Sequence, residues 1–251
     1  MGYRGIDSLA SFGVCCLLMM FETSIAEIIP RTGDVASFRF PRPAGLSYKP
    51  GQYLLVTIKS ADKEFMHPFS FSSSPTEKDY IEFTKKFTPN EYSTILKTLK
   101  PSDWTRIDAP YGKFTFEGEY PKIALLTGGI GITPFRSIIK YCTDMSLNTD
   151  IALFYGCRTP GDIAFRSEFE DMQMQNKNLK IMLTVNEPNG DWKGSVGNIT
   201  AEIVKKEMPD YKERIFFACG PPGMVQAMTN LVKELGLPET QLKLESFAGH
   251  T

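Results

Sequence analysis

The chain has 251 residues, enough for one large domain or two of ordinary size, and 42% of them are hydrophobic, as expected for a protein with a packed core. With 28 basic and 29 acidic residues, the net charge of -1 gives no reason to expect binding to nucleic acid or to an anionic membrane. Five cysteines without a C-x-x-C pair and only two histidines argue against a disulfide framework, a zinc site or an iron–sulfur cluster. We therefore expect no metal site and a reduced, cytoplasmic compartment.

The N-terminal segment 1–21 is unusual because residues 9–21 are apolar and follow Arg4. This run is short for a membrane span, although a charge followed by an apolar run is typical of a signal peptide. No small-residue cleavage site follows, so two other interpretations are favoured over export. The segment is either an extra strand or helix packed on the core, or an extension upstream of a true start at Met19 or Met20. We assign it to an N-terminal extension of uncertain role and expect no membrane association.

Residues 22–118 are predicted to form an antiparallel β domain. Apolar and polar positions alternate in short stretches, and turn residues such as Pro50 and Gly51 separate these stretches. The pattern is typical of an antiparallel barrel or sandwich. Strands are predicted at 37–40, 52–58, 69–72 and 80–85, with one helix at 93–99.

Residues 119–251 show a different sequence pattern, in which predicted strands alternate with predicted helices. This alternation predicts parallel βαβ units and a Rossmann-like α/β domain. Gly236 and Pro238 mark the end of the last helix. The predicted strands are 123–126, 150–155, 180–185 and 214–218, and the predicted helices are 134–142, 166–173, 200–206 and 222–235.

A glycine-rich turn follows the first strand of this second domain. Gly128, Gly129 and Gly131 come directly before a helix that has Thr133 as a plausible N-cap and Pro134 in its first turn. Glycines let the backbone approach a ligand closely, and a helix N-terminus favours negative charge. The turn is therefore a candidate pyrophosphate site, and a purely steric role for the glycines is the alternative.

The β domain carries the segment H-P-F-S-F-S-S-S-P at 67–75. Phe69 could stack on a planar ligand and Ser70 could hydrogen-bond it, although a buried Phe beside a serine turn is the commoner arrangement. Ser93 is expected to open a helix, either as its N-cap or by presenting the helix end to a phosphate. The turn at 109–114 could be structural only.

Taken in order, these motifs resemble those of the ferredoxin–NADP reductase family. The resemblance covers about residues 23–249 and rests on seven segments. It implies a flavin on the barrel, a nicotinamide nucleotide on the α/β domain, and a cleft where the two rings meet. The segments are H-P-F-S (67–70), S-x-x-L (93–96), P-Y-G-K-F (110–114), T-G-G-I-G-I-T-P (127–134), Y-G-C-R-T (155–159), C-G-P-P-G-M (219–224) and E-S-F (245–247).

On the flavin side, the resemblance implies that Phe69 covers the isoalloxazine ring and that Ser70 hydrogen-bonds near flavin N5. His67 stands where the family has an arginine for the flavin phosphate, and a neutral histidine lacks the charge and fork of arginine. Lys85, Lys86 and the helix at Ser93 are possible substitutes, with a solvated strand end as the alternative for the lysines. The expected flavin-binding residues are His67, Pro68, Phe69, Ser70, Phe83, Lys85, Tyr92, Ser93 and Tyr111.

On the nucleotide side, the resemblance places Cys219 against the nicotinamide, while a buried structural cysteine is the alternative. Glu245 would assist proton delivery and Phe247 would shield the flavin, so Ser70, Cys219 and Glu245 are the expected catalytic residues. A surface or packing role is the alternative for Glu245 and Phe247. The expected nucleotide-binding residues are Gly128, Gly129, Gly131, Thr133, Pro134, Arg158, Cys219, Gly220, Pro221 and Met224.

The resemblance implies a FAD-dependent oxidoreductase that takes a hydride from NAD(P)H and passes electrons to a separate acceptor, such as ferredoxin, flavodoxin or an iron–sulfur protein. FAD is favoured over FMN because of the Ser93 helix and the Tyr111 turn. Arg158 could pair with a 2′-phosphate, which slightly favours NADP(H) over NAD(H). An electron-transfer subunit of a larger complex and a flavin-binding sensor without turnover are the alternatives. The sequence does not identify the acceptor.

Overall fold

The computed structural model describes residues 17–247, and its first half contains two antiparallel sheets. One sheet has the order β1-β7-β4-β5 and the other the order β2-β3-β6. The predicted antiparallel β-barrel is therefore confirmed. The elements are β1 (Met19–Ser24), β2 (Glu27–Thr32), β3 (Val35–Pro41), β4 (Tyr53–Ser60), β5 (Lys63–Ser70), β6 (Tyr80–Lys86), α1 (Glu91–Thr98) and β7 (Trp104–Tyr111).

Stacked aromatic rings fill the space between these two sheets. Phe83 lies between Phe38 and Phe69, with ring centroids 5.1 and 4.4 Å away. Phe38 and Phe83 are almost completely buried. Because side chains alternate between the two faces of a strand, every second residue of β3 and β6 contributes to this core.

The second half is a parallel six-stranded sheet in the order β11-β10-β9-β8-β12-β13, which confirms the predicted Rossmann-like domain. The order reverses between β8 and β12, and open sheets of this kind bind ligands in the crevice at the carboxyl ends of the strands where the order reverses. The elements are β8 (Lys122–Gly128), α2 (Thr133–Asp144), β9 (Asp150–Cys157), α3 (Arg166–Gln175), β10 (Leu179–Val185), β11 (Ser195–Val196), α4 (Ala201–Glu207), β12 (Ile215–Gly220), α5 (Pro222–Glu234) and β13 (Leu242–Ser246).

Two predicted helix starts are wrong. A short 3₁₀ turn over Gly129–Ile132 runs directly into α2, so Thr133 is already helical and its hydroxyl donates back to the Ile130 carbonyl at 3.2 Å. Ser93 lies in the first turn of α1, and the N-cap is Asn90, whose Oδ1 accepts from the Ser93 amide at 2.8 Å. In both cases a residue with a plausible capping side chain lies inside the helix.

Most of the predicted N-terminal extension, residues 1–16, lies outside the described part of the chain. β1 begins at Met19, and Met19 and Phe21 pack against the barrel core. Within residues 17–247, no helix is both long and apolar enough to cross a membrane. The domain boundaries at 21/22 and 118/119 stay predictions.

The capping role of Asn90 can be tested by Asn90→Ala. Loss of an N-cap side chain leaves a backbone amide without its partner and costs about 1 kcal/mol of unfolding free energy. Thr98→Ala, in the exposed last turn of the same helix, is the control and is expected to change it by less than about 0.5 kcal/mol. Urea unfolding measures both, and equal effects would contradict the assignment.

Candidate active site

Two adjoining cavities lie at the carboxyl edge of the parallel sheet. The larger, about 760 Å³, is bounded by the ends of β8, β9 and β10 and by the start of α5. The smaller, about 430 Å³, lies between the sheet and the barrel. Ile130 and Lys86 line both cavities, so ligands in the two would be neighbours.

The glycine turn separates the two cavities. Gly128 and Gly129 line the larger one, and Thr133 lines the smaller one. Gly129 has a φ of +52°, in the left-handed region. A Cβ on Gly131 would lie 2.3 Å from the Cys219 carbonyl oxygen, so the turn closes on β12 only because this residue lacks a side chain. Pro134 is buried in α2 and lines neither cavity.

The far end of the larger cavity carries charged side chains. Arg158 and Glu187 form an ion pair, with Nε and Oε1 2.9 Å apart, and both are well exposed. Across the cavity, Lys86 and Asp34 of the barrel form another at 3.3 Å. Sequence reasoning did not single out Glu187 or Asp34, because each lies in a turn and only the fold brings it to the cavity.

In the smaller cavity, the barrel wall consists of Pro68, Phe69 and Ser70 at the end of β5, together with Tyr53 and Lys85. Phe69 is nine-tenths buried and rests on Phe83. Phe83 and Tyr92 lie behind it in the barrel core and line neither cavity. Their role is to support Phe69 and His67, whose ring lies 4.3 Å from that of Tyr92.

Lys85 is buried beside this wall. Only 6% of it is exposed, so the expected alternative of a solvated strand end is wrong for this lysine. Among residues 17–247 its ammonium makes no ion pair and no hydrogen bond, and burial lowers its pKa. Burial and the positive charge of Lys85 also lower the pKa of His67.

Ser93 and Tyr111 do not line either cavity themselves. Ser93 is fully buried, and its hydroxyl oxygen accepts from the Thr88 amide at 3.3 Å. Tyr111 stacks on Tyr53, with centroids 5.6 Å apart, and Tyr53 itself lines the cavity. Thr88 also lines the cavity, so each predicted residue reaches it through one neighbour.

The opposite wall comes from β13 and the turn after β12, while Cys219 of β12 is fully buried behind it and lines neither cavity. Parallel pairing sets Cys219 beside Glu245, and the thiol Sγ lies 4.0 Å from Glu245 Oε2. Burial raises the pKa of Glu245 to about 7 and raises the pKa of the Cys219 thiol. Glu245 and Phe247 line the smaller cavity together with Pro221.

Gly220 and Met224 complete the turn after β12. Gly220 has a φ of +156°, and a Cβ there would lie 2.6 Å from the Met224 sulfur. The Met224 side chain lines the larger cavity beside Gly128. The turn therefore packs tightly and separates the larger cavity from the β12–β13 wall.

The residues fit the cofactors that the resemblance implies. Ser70 is nearly buried, yet its hydroxyl makes no hydrogen bond within the described part of the chain and is available to a ligand in the smaller cavity. The ammonium of Lys85, which has no ion-pair partner in the described residues, offers a positive charge to an anionic part of a flavin. Gly129 and the start of α2 offer a helix N-terminus to a phosphate. No group of three His, Cys, Asp or Glu side chains suited to a metal ion occurs among residues 17–247.

The turn geometry can be tested by comparing Gly131→Ala with Gly129→Ala. The first variant forces a methyl group into backbone atoms of β12, whereas the second has no atom within 4 Å and bears only left-handed strain of roughly 1–2 kcal/mol. We expect a clearly larger fall in Tm for Gly131→Ala, measured by calorimetry. Equal falls would contradict the close approach.

Two family models match consecutive parts of the chain and together cover most of it. Residues 23–116 match the oxidoreductase FAD-binding domain, and residues 125–230 match the oxidoreductase NAD-binding domain. These matches support a FAD and a nicotinamide nucleotide as the cofactors.

Individual proteins agree with these matches. The glycine betaine monooxygenase reductase subunit of Chromohalobacter salexigens is 28% identical over 88% of this chain and 62% of its own length. An NADH-cytochrome b5 reductase-like protein of Arabidopsis thaliana is 31% identical over 70% of this chain and 59% of its own. The chain thus spans about six tenths of the length of these relatives.

A solved structure shares the fold. The ferredoxin NADP+ reductase of Neisseria gonorrhoeae, with bound FAD and NADP, superimposes with a TM-score of 0.79 at 17% identity, covering 90% of this chain and 98% of that one. The two matched models, in this order and on this two-domain fold, identify the chain as a member of the ferredoxin–NADP reductase-like family of flavin- and nicotinamide-binding oxidoreductases.

Proposed function

We propose that the protein is a FAD-dependent NAD(P)H oxidoreductase that passes electrons to a separate acceptor. The observation that carries this proposal is the junction of the two cavities at Ile130 and Lys86. A nucleotide in the larger cavity can extend its nicotinamide past the glycine turn into the smaller one, where the flavin ring would lie. Flavin supplies the chemistry, because it accepts a hydride and can release electrons singly.

The protein's own residues would bind and orient the two cofactors, and one of them would hold a proton. Ser70 would donate its hydroxyl to the flavin ring, and Phe69 would pack against it. Phe247 would cover the opposite side until the nicotinamide arrives. Glu245, with a pKa of about 7, holds a proton near the reacting atoms and lies against Cys219.

We further propose that the preferred nucleotide is NADH. Arg158 favoured NADP(H) on sequence grounds, but its guanidinium is paired with Glu187. A carboxylate at the end of a parallel strand can accept from the 2′-hydroxyl of NAD and repels a 2′-phosphate. The pair therefore argues against the NADP(H) preference that Arg158 alone suggested.

The acceptor is proposed to be a redox protein. The relatives include a reductase subunit of a monooxygenase and a cytochrome b5 reductase-like protein, and these names describe transfer to a partner. An electron-transfer subunit of a larger complex is the second reading, and the same names support it. Cys142, Cys157 and Cys219 are free thiols, which supports a reducing, cytoplasmic compartment.

The proposal is tested by purifying the protein, recording its absorbance and titrating it anaerobically with NADH and NADPH. We expect a bound flavin that either nucleotide bleaches, followed by reoxidation by one member of a panel of redox proteins. A protein that takes up no FAD would falsify the proposal. Flavin that neither nucleotide reduces would favour a sensor instead.

The nucleotide preference is tested with Glu187→Gln. Removal of the carboxylate releases Arg158 and removes a repulsive charge, so kcat/KM for NADPH should rise about tenfold relative to NADH, as expected for a coupling of ~1–2 kcal/mol. Glu170→Gln is the control, since Glu170 forms a similarly exposed ion pair with Arg166 on α3. A ratio that stays the same in both variants would contradict the role of Glu187.

The buried carboxyl is tested with Glu245→Gln. Burial raises the pKa of Glu245 from 4.5 to about 7. The unfolding free energy of the wild type therefore falls as pH rises through this range and does not fall further above it. The variant has no carboxyl to titrate and lacks this fall. Its unfolding free energy minus that of the wild type should therefore increase from pH 4.5 to about 7, measured by urea unfolding. A difference that does not change with pH would contradict the raised pKa.

A further inference from the structure

Arg136 of α2 makes a set of hydrogen bonds that crosses between the two domains. Its side chain is only 4% exposed. Within the barrel it donates to the Ser72 carbonyl at 2.9 Å and to both carboxylate oxygens of Glu77. Within its own domain it donates to Glu168 Oε2 from Nε at 3.0 Å and from Nη2 at 2.7 Å.

The set crosses the boundary a second time through Arg31. This barrel arginine pairs with Glu168 on α3 and, at 3.1 Å, with the fully buried Glu82 of β6. Positive and negative side chains therefore alternate along a path that starts in the barrel, enters the α/β domain and returns to the barrel. An adjacent hydrogen bond from the Ser137 hydroxyl to the Ser73 carbonyl, at 2.7 Å, strengthens the same contact.

Both ends of the Arg136 contact lie next to the proposed reaction centre. Ser72 is two residues beyond Ser70, which lines the smaller cavity, and Arg136 is one helical turn beyond Thr133, which lines it from the other side. Arg136 itself lines neither cavity. It thus joins the flavin-binding strand end to the helix that begins at the glycine turn.

We propose that Arg136 is a positioning residue that sets the distance between the nicotinamide and the flavin, an inference that rests on the proposed function. The guanidinium has five N–H donors in a rigid plane and makes five hydrogen bonds here. A lysine keeps the charge but supplies three donors from one nitrogen, so it cannot hold Ser72, Glu77 and Glu168 in the same arrangement. Hydride transfer is sensitive to small displacements of this kind.

The test compares Arg136→Lys with Arg214→Lys. Arg214 is a matched control, because it is 5% exposed and pairs with Asp150 and Asp210 inside the α/β domain alone. In anaerobic stopped-flow experiments at saturating NADH, Arg136→Lys should slow flavin reduction by at least about tenfold. It should also weaken the long-wavelength charge-transfer absorbance of the nicotinamide–flavin pair. Arg214→Lys should lower Tm to a comparable extent and leave both signals unchanged.

A second pair of variants covers the case in which Arg136→Lys does not fold. Glu168→Gln removes one carboxylate charge from beside Arg136, and Asp210→Asn removes one from beside Arg214. Both carboxylates are 28% exposed, and only the first variant should slow flavin reduction. Equal rates in matched variants would overturn the positioning role. A wild-type protein that binds flavin but is reduced by neither nucleotide would instead overturn the proposed function.

Discussion

The alternating charges between the barrel and the parallel sheet are the constraint on which the rest of this structure depends. Three arginines and four carboxylates lie in this network, and Glu82, which pairs with both Arg31 and Arg39, is fully buried. Removing one partner from a buried ion pair leaves a charge without water and costs roughly 3–5 kcal/mol. These contacts join the two domains beside the smaller cavity, whose walls come from both of them.

The two domains contribute differently to the two cavities, and the strand orders explain the difference. The larger cavity is bounded almost entirely by the parallel sheet, at the edge where its strand order reverses. The smaller cavity needs walls from both domains. The larger cavity, proposed for the nucleotide, therefore draws mainly on one domain, whereas the smaller cavity, proposed for the flavin, draws on both.

Local patterns made much of this architecture predictable. Alternating apolar residues predicted the barrel, and the β8–turn–α2 segment predicted the nucleotide site, because each depends on neighbours in sequence. Glu245 and Cys219 could be named only through the family resemblance. Their contact depends on the pairing of β12 with β13, a short edge strand over Leu242–Ser246 that was not predicted from the sequence.

Features that depend on distant contacts could not be predicted. Arg31 and Glu168 are 137 positions apart, and nothing in either neighbourhood indicates that they meet. The burial of Lys85 was likewise hidden, since a lysine at a strand end is ordinarily solvated. Asn90 and Ser93 are equally good capping residues by type, and only the backbone geometry decides between them.

The shared walls of the two cavities have a thermodynamic consequence. Ile130 and Lys86 touch both, so an occupant of one cavity changes the surface that the other occupant meets. Under the proposed assignment, any free energy by which the flavin strengthens nucleotide binding equals the free energy by which the nucleotide strengthens flavin binding. The affinity of either cofactor would then be a property of the pair, and retention of the flavin in a cell would depend on the nucleotide pool around it.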